Sequence, residues 1–308
     1  MKISITEVAP RDGLQGMSNP VSTADKITLA RRAAAAGIRR IEATSFVSPR
    51  AMPQMADAED VLAGLASLDN VTLEALVPNI RGAERAALTP VNDWVCFISA
   101  TESHSQANTN CSVDEALTRI EPVIELARNH ARTPVAAIAV AFGCPFEGVT
   151  PLEQTMKLVK SLSAMGIQRI KFGDTIGTAT PRQVKRLAQA LNAQNPEIDP
   201  VLHLHNTRGL SLASVLAGLQ SGITSFESSI GGIGGCPFAP GASGNVATED
   251  LVHFLHAEGH ETGIDLSQVI ETGKWLEERL GCSLPARLLR VGPIGTVTPL
   301  NNAKRARG

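Results

Sequence analysis

The sequence predicts a (β/α)₈ TIM barrel with a C-terminal helical extension, on three observations. Short apolar, β-branched runs alternate with longer helical patterns from one end of the chain to the other. Several helical patterns close on glycine and pass at once into a new strand, at Ala36-Gly37-Ile38, Met165-Gly166-Ile167 and Ser221-Gly222-Ile223. The 308 residues also fit one large barrel, with no Pro/Gly-rich linker to divide them.

In order, strands are expected at residues 3–9, 40–44, 71–77, 94–99, 135–142, 169–172, 201–205 and 225–229. Helices are expected between them at 24–36, 55–67, 80–87, 113–131, 151–164, 181–192 and 210–220, with an eighth near 248–256. Thr150-Pro151 and Thr180-Pro181 each read as a Thr N-cap with Pro at the first helical position. Residues 1–265 are taken as the catalytic barrel. Residues 266–308 are taken as a helix and an apolar tail that packs on the barrel or on a partner subunit.

Composition narrows the function. Hydrophobic residues make up 43% and charged residues 19%, with a net charge of −2, as in a globular protein with a substantial core. The near-neutral balance provides no basic field for nucleic acid, and with no Tyr and two Trp there is no stacking platform for single strands. No apolar run approaches the ~18 residues of a membrane helix, and Glu7 places an acid too early for a signal peptide. Five Cys, odd in number and free of CxxC pairs, suit free thiols in a reducing cytoplasm.

The polar residues carry the chemistry. In Val201-Leu202-His203-Leu204-His205, residues two apart share one strand face, so two imidazoles project side by side from an apolar strand. Neutral imidazole is the commonest metal ligand, which makes this a metal-site candidate. Other unusual polar residues also fall just after strand C-termini, where this fold builds active sites. Arg11 and Asp12 follow the first strand, Glu42 and Ser45 end the second, and Lys171 and Asp174 end the sixth. The eighth leads into Gly231-Gly232-Ile233-Gly234-Gly235-Cys236-Pro237 and then Gly241-Ala242-Ser243-Gly244-Asn245. No G-x-G-x-x-G there opens a helix, so dinucleotide binding is rejected.

Glu7-Val8-Ala9-Pro10-Arg11-Asp12-Gly13-Leu14-Gln15 resembles the opening motif of the metal-dependent carbon–carbon lyases and synthases built on TIM barrels. Within them, the stretch 234–245 resembles the cysteine loop of the hydroxymethylglutaryl-CoA lyase family. Thr44-Ser45-Phe46-Val47-Ser48-Pro49, Gly143-Cys144-Pro145-Phe146-Glu147-Gly148 and Gly173-Asp174-Thr175-Ile176-Gly177 are also similar. The resemblance implies that Asp12, His203, His205 and Asn245 ligate a divalent cation, Mg²⁺ or Mn²⁺, because carboxylate, imidazole and amide oxygen together suit octahedral coordination. It further implies Arg11 beside the thioester oxygen, Cys236 as catalytic thiol, and Glu42 and Glu249 as supporting acids.

The family's usual residues are replaced at Asn206 and Arg208, at Lys171, and at Gly16-Met17-Ser18. Arg208 and Lys171 are expected near the rim, pairing with a substrate carboxylate. Gln15, Glu42, Ser45, Lys171, Asp174 and Arg208 form the expected substrate-contacting set. The chemistry implied is retro-aldol cleavage of an acyl-CoA, most simply 3-hydroxy-3-methylglutaryl-CoA to acetyl-CoA and acetoacetate. His203 or Asp12 would take the hydroxyl proton. The alternatives are a lyase for a related thioester such as citramalyl- or methylmalyl-CoA, and a Claisen-type synthase. A homodimer is an assembly the fold allows.

Overall fold

The computed structural model describes residues 3–17, 19–235 and 244–295. Eight parallel strands close a barrel: β1 (Ser4–Glu7), β2 (Arg40–Ser45), β3 (Thr72–Leu76), β4 (Asp93–Ser99), β5 (Thr133–Ala139), β6 (Arg169–Asp174), β7 (Asp199–Leu204) and β8 (Ser225–Ser228). Their order around the barrel is their order along the chain, and β1 closes the ring by pairing with both β8 and β2. The helices outside are α1 (Thr23–Ala35), α2 (Ala58–Leu65), α3 (Ile80–Ala86), α4 (Glu102–Thr109), α5 (Val113–Asn129), α6 (Leu152–Ala164), α7 (Pro181–Gln194), α8 (Ser211–Gln220), α9 (Thr248–Ala257) and α10 (Leu266–Leu280).

Local chemistry explains these elements. Helix α5 starts at a capping box between Ser112 and Glu115, and buries Ala116, Ile120, Val123, Ile124 and Ala127, one helical stripe. Helix α7 starts at the Thr180–Gln183 capping box, with Pro181 in its first turn. The strands alternate. Trp94, Ile98, Phe172, Leu202 and Phe226 are buried in the layer between sheet and helices, where Gly218 of α8 lets Leu202 and Phe226 approach closely.

The opposite strand faces depart from the usual barrel filling of branched apolar side chains. Arg40, Glu42, Glu74, Asp93, Lys171 and Glu227 lie inside and are joined by ion pairs. Strand register places them together, with Glu42 beside Glu74 and Glu74 beside Asp93.

Four details differ from expectation. Helix α4 was not foreseen, because its sequence lacks an apolar stripe and buries only His104 and Ser105. A small hairpin, Gly143–Cys144 with Gly148–Val149, follows β5. Thr150 does not cap α6; its hydroxyl donates to the Val140 carbonyl at 2.7 Å, and Pro151 takes the cap position without a side-chain bond. The first strand leaves the sheet earlier than expected, because β1 ends at Glu7 and a wide turn begins at Ala9.

Beyond the barrel, α10 packs on α1 and α9. Asp250 accepts the backbone N–H groups of Arg287 and Leu288, which folds the buried pair Leu288 and Leu289 onto the same region. Residues 296–308 of the expected tail, with Lys304, Arg305 and Arg307, lie outside the described residues. Among the described residues no helix is long and apolar enough to cross a membrane.

Gly37 closes α1 at φ +103°, and a Cβ there would stand 2.2 Å from the Gly263 carbonyl oxygen. Gly37→Ala combines left-handed backbone strain with a clash, and is expected to cost about 2–4 kcal/mol. Urea unfolding measures this; an unshifted midpoint contradicts the packing described.

Candidate metal centre

His203 and the residue that follows β7, His205, share one face, and their Nε2 atoms stand 3.1 Å apart. Asp12 reaches them from β1 by way of a π-helical turn, Ala9–Gly13, closed by the Gly13 N–H donating to Val8 O at 3.1 Å. One ligand atom from each of Asp12, His203 and His205 lies within 4.8 Å of the other two. Asn245 completes the group. A β-bridge ties it to His205, and its Nδ2 donates to Asp12 Oδ2 at 2.7 Å and to Ile233 O at 3.1 Å.

These residues fit a hard divalent cation. Two acceptors occupy both hydrogens of the Asn245 amide, so its buried Oδ1 is left without a partner among the described residues. His203 Nδ1 is bonded to Glu227 Oε2 at 2.8 Å, which places the ring proton there and turns the Nε2 lone pair toward His205. Neighbouring ligands of an octahedral cation at about 2.1 Å stand about 3 Å apart, close to the imidazole spacing seen here. Carboxylate, two imidazoles and an amide oxygen make a donor set suited to Mg²⁺ or Mn²⁺.

Electrostatics prepares the ligands. Burial and the neighbouring His203 push His205 down to about 4, so its ring is neutral at neutral pH. Burial also pushes His203 down, but Glu227 and Asp12 outweigh it and its pKa is raised. Burial pushes Asp12 up, yet Arg11 and both histidines outweigh that, and it stays a carboxylate.

Around this cluster the expected residues divide. Arg11 donates to Asp12 Oδ1 at 2.9 Å, to Glu42 Oε2 at 2.8 Å and to Gln15 Oε1 at 3.5 Å, so it stands against the cluster with Glu42 behind it. Ser45 is buried and its Oγ accepts the Val47 N–H, a turn at the end of β2. Asp174 accepts the Thr178 N–H at 2.6 Å, and burial raises it to about 6 against that bond and the charge of His203.

Two placements correct the sequence reading. Lys171 is not at the rim: it is 2% exposed inside the barrel, its Nζ 2.6 Å from both Glu74 Oε2 and Glu227 Oε1. Arg208 donates to the carbonyls of Ile176 and Gly177, at 2.5 and 3.4 Å, and so clips its own turn to the one after β6. Cys236 lies outside the described residues. Glu227 and Glu74 were missed. Each is the single charged residue of a short buried strand, and that was the available signal.

The chain on either side of residues 236–243 is held closely. Glu7 accepts N–H groups from Ala9 and Ile230 and the Thr248 hydroxyl, and Glu249 accepts the Gly231 N–H. Gly234, at φ +135°, runs so near the cluster that a Cβ would meet Asn245 Nδ2 at 2.4 Å.

A parallel barrel with a buried carboxylate–imidazole–amide cluster at the C-terminal ends of its strands belongs to the class of barrel enzymes that work at a divalent cation. The HMGL-like family profile matches residues 2–276. Hydroxymethylglutaryl-CoA lyase YngG of Bacillus subtilis is 43% identical over 290 residues, spanning 94% of this chain and 97% of that protein. Hydroxymethylglutaryl-CoA lyase of Pseudomonas mevalonii is 40% identical, spanning 92% and 95%. The structure of an HMG-CoA lyase from Acinetobacter baumannii in complex with coenzyme A and 3-methylmalate superposes with a TM-score of 0.92 at 38% identity, covering 97% of each chain. The chain belongs to the HMGL-like family, that of the hydroxymethylglutaryl-CoA lyases.

Two measurements check this site. Asn245→Ala is expected to weaken Mn²⁺ binding by about tenfold or more in calorimetric titration, and unchanged affinity removes Asn245 from the ligand set. Burial raises Glu7 from 4.5 to about 7. A folded state that holds this proton while the unfolded chain releases it loses stability as pH rises from about 4.5 to about 7, by about 3 kcal/mol. Glu7→Gln removes that decline, so its stability gain over the parent should widen across the window; parallel pH curves contradict the assignment.

Proposed function

We propose that this chain is a divalent-cation-dependent lyase that cleaves 3-hydroxy-3-methylglutaryl-CoA into acetyl-CoA and acetoacetate. The observation that carries the reading is the convergence of Asp12, His203, His205 and Asn245 on one point with Arg11 against it. The relatives named as lyases, one bound to coenzyme A, support an acyl-CoA as the substrate class. Residues 1–265 carry the chemistry, and the described part of the remainder, residues 266–295, braces the barrel.

Asp12, His203, His205 and Asn245 would hold the cation. When bound, it supplies Lewis acidity to the substrate's hydroxyl and carbonyl oxygens. Asp12, whose carboxylate stands in the cluster, takes the hydroxyl proton, which opens the carbon–carbon bond as the ketone forms; His203, with its proton on Nδ1 against Glu227 and Nε2 turned to the cation, has no lone pair free for it. Arg11, kept protonated because Glu42 and Asp12 outweigh the cost of its burial, stabilises the enolate oxygen of the leaving thioester. Cys236 then gives its proton to the enolate carbon. Gln15 and Glu42 fix the Arg11 guanidinium for this task.

A differently placed substrate carboxylate, as in the rival thioesters, would need free cations at the rim. Lys171 is buried among acids, and Arg208 has its Nη1 on two backbone carbonyls. The relatives named hydroxymethylglutaryl-CoA lyase favour the hydroxymethylglutaryl thioester. The buried thiols Cys96, Cys111 and Cys144 are free, in keeping with a reducing cytoplasm.

Cys236→Ala is expected to lose turnover of hydroxymethylglutaryl-CoA by about a hundredfold or more while metal content stays unchanged. Near-parental turnover in that variant removes the thiol from the mechanism. A panel of hydroxymethylglutaryl-, citramalyl- and methylmalyl-CoA assayed with Mg²⁺ and with Mn²⁺ tests the substrate directly. Cleavage of only the C5 thioesters overturns the reading.

A further inference from the structure

The ion pairs inside the barrel form one connected chain, and Lys171 is its hub. One arm runs from Lys171 through Glu42 and Arg11 to Asp12, the first of the ligand residues. A second runs through Glu227 to His203, another of them. A third runs down through Glu74 and Arg40 to Asp93, near the opposite end of the barrel. Among the described residues, Lys171 is the one ion-pair link between these arms.

We propose that Lys171 is a positioning residue for the metal centre, holding Glu227 so that its second oxygen locks the His203 imidazole with Nε2 turned to the cation. Two observations carry this. Glu227 divides its oxygens, Oε1 lying 2.6 Å from Lys171 Nζ and Oε2 2.8 Å from His203 Nδ1, so the lysine sets the carboxylate that sets the ring. The chain also holds the carboxylates of Asp12, Glu42, Glu74, Asp93 and Glu227 against the fixed cations Arg11, Arg40 and Lys171. It is two charges short of neutrality, the deficit a divalent cation makes good.

Without the ammonium, Glu74 and Glu227 face each other across an empty position. Oε1 of Glu227 then has no cation to hold it, and the carboxylate that sets the His203 ring is free to turn.

The inference rests on the proposed cation site and on no substrate. Its test is therefore binding of Mn²⁺ alone to the full-length protein, followed by calorimetry and by the electron paramagnetic resonance signal of free Mn²⁺. Lys171→Met is expected to weaken Mn²⁺ binding by about tenfold or more. Because loss of a buried counter-charge can also unfold the barrel, a second variant, Lys171→Met with Glu74→Gln, removes one acid together with the base. It is expected to fold and still to bind Mn²⁺ weakly, since Glu227 lacks its holder. In ¹⁵N-histidine spectra, the His203 Nδ1–H resonance should lose its carboxylate-bonded shift in this variant. Mn²⁺ affinity within twofold of the parent, or an unmoved Nδ1–H resonance, overturns the proposal. Failure of the lyase reading is separate: it appears as an inert parent protein toward hydroxymethylglutaryl-CoA with these binding results unchanged.

Discussion

A carboxylate taken out of water needs a cation beside it, and that constraint organises the interior of this barrel. Asp12 and Glu227 remain ionised in a buried setting because Arg11 and Lys171 stand within ion-pair distance. Lys171 in turn is kept charged by Glu227, Glu42 and Glu74, which outweigh the cost of its burial. Buried ion pairs contribute little net stability when compared with apolar packing. The fold is held instead by the layer between strands and helices, in residues such as Trp94, Ile98, Phe172 and Phe226. The polar interior exists for the site above it.

The centre is thus supported from two directions. Below, the carboxylates of Glu42 and Glu227 fix Arg11 and His203. From the side, the wide turn after β1 and the return at Asn245 bring a carboxylate and an amide from residues far apart in the chain, tied together by the bond from Asn245 Nδ2 to Asp12. Glu7 and Glu249, buried beneath the turn at Ile230–Gly232, satisfy its backbone N–H groups and so fix where the stretch after β8 begins. Rigid supports of this kind let each ligand be held in a single rotamer, which a centre of fixed geometry requires.

Much of this was legible in the residues. All eight strands were found because short runs with apolar outward faces alternate with helical patterns, and Gly37, Gly166 and Gly222 punctuate the helix-to-strand passages with positive φ. Helix α4 was missed because Glu-Ser-His-Ser-Gln-Ala-Asn-Thr has no periodic apolar face. The cluster of Asp12, His203 and His205 was readable because this fold gathers strand ends at one mouth. Lys171 was misplaced for a simple reason. Two residues along a strand separate one inward layer from the next, and a boundary read from sequence is no finer than that. Glu227 and Glu74 were overlooked because their partners are remote in the chain: Glu227 finds His203 across 24 positions and Lys171 on a different strand. Such pairings follow from barrel register, not from local pattern.

The most direct measurement is diffraction from crystals soaked in Mn²⁺, with anomalous scattering recorded at the manganese edge. The account predicts one strong peak within bonding distance of Asp12, both Nε2 atoms of His203 and His205, and Asn245 Oδ1. A peak elsewhere in the barrel, or none beside those four donors at saturating Mn²⁺, contradicts it.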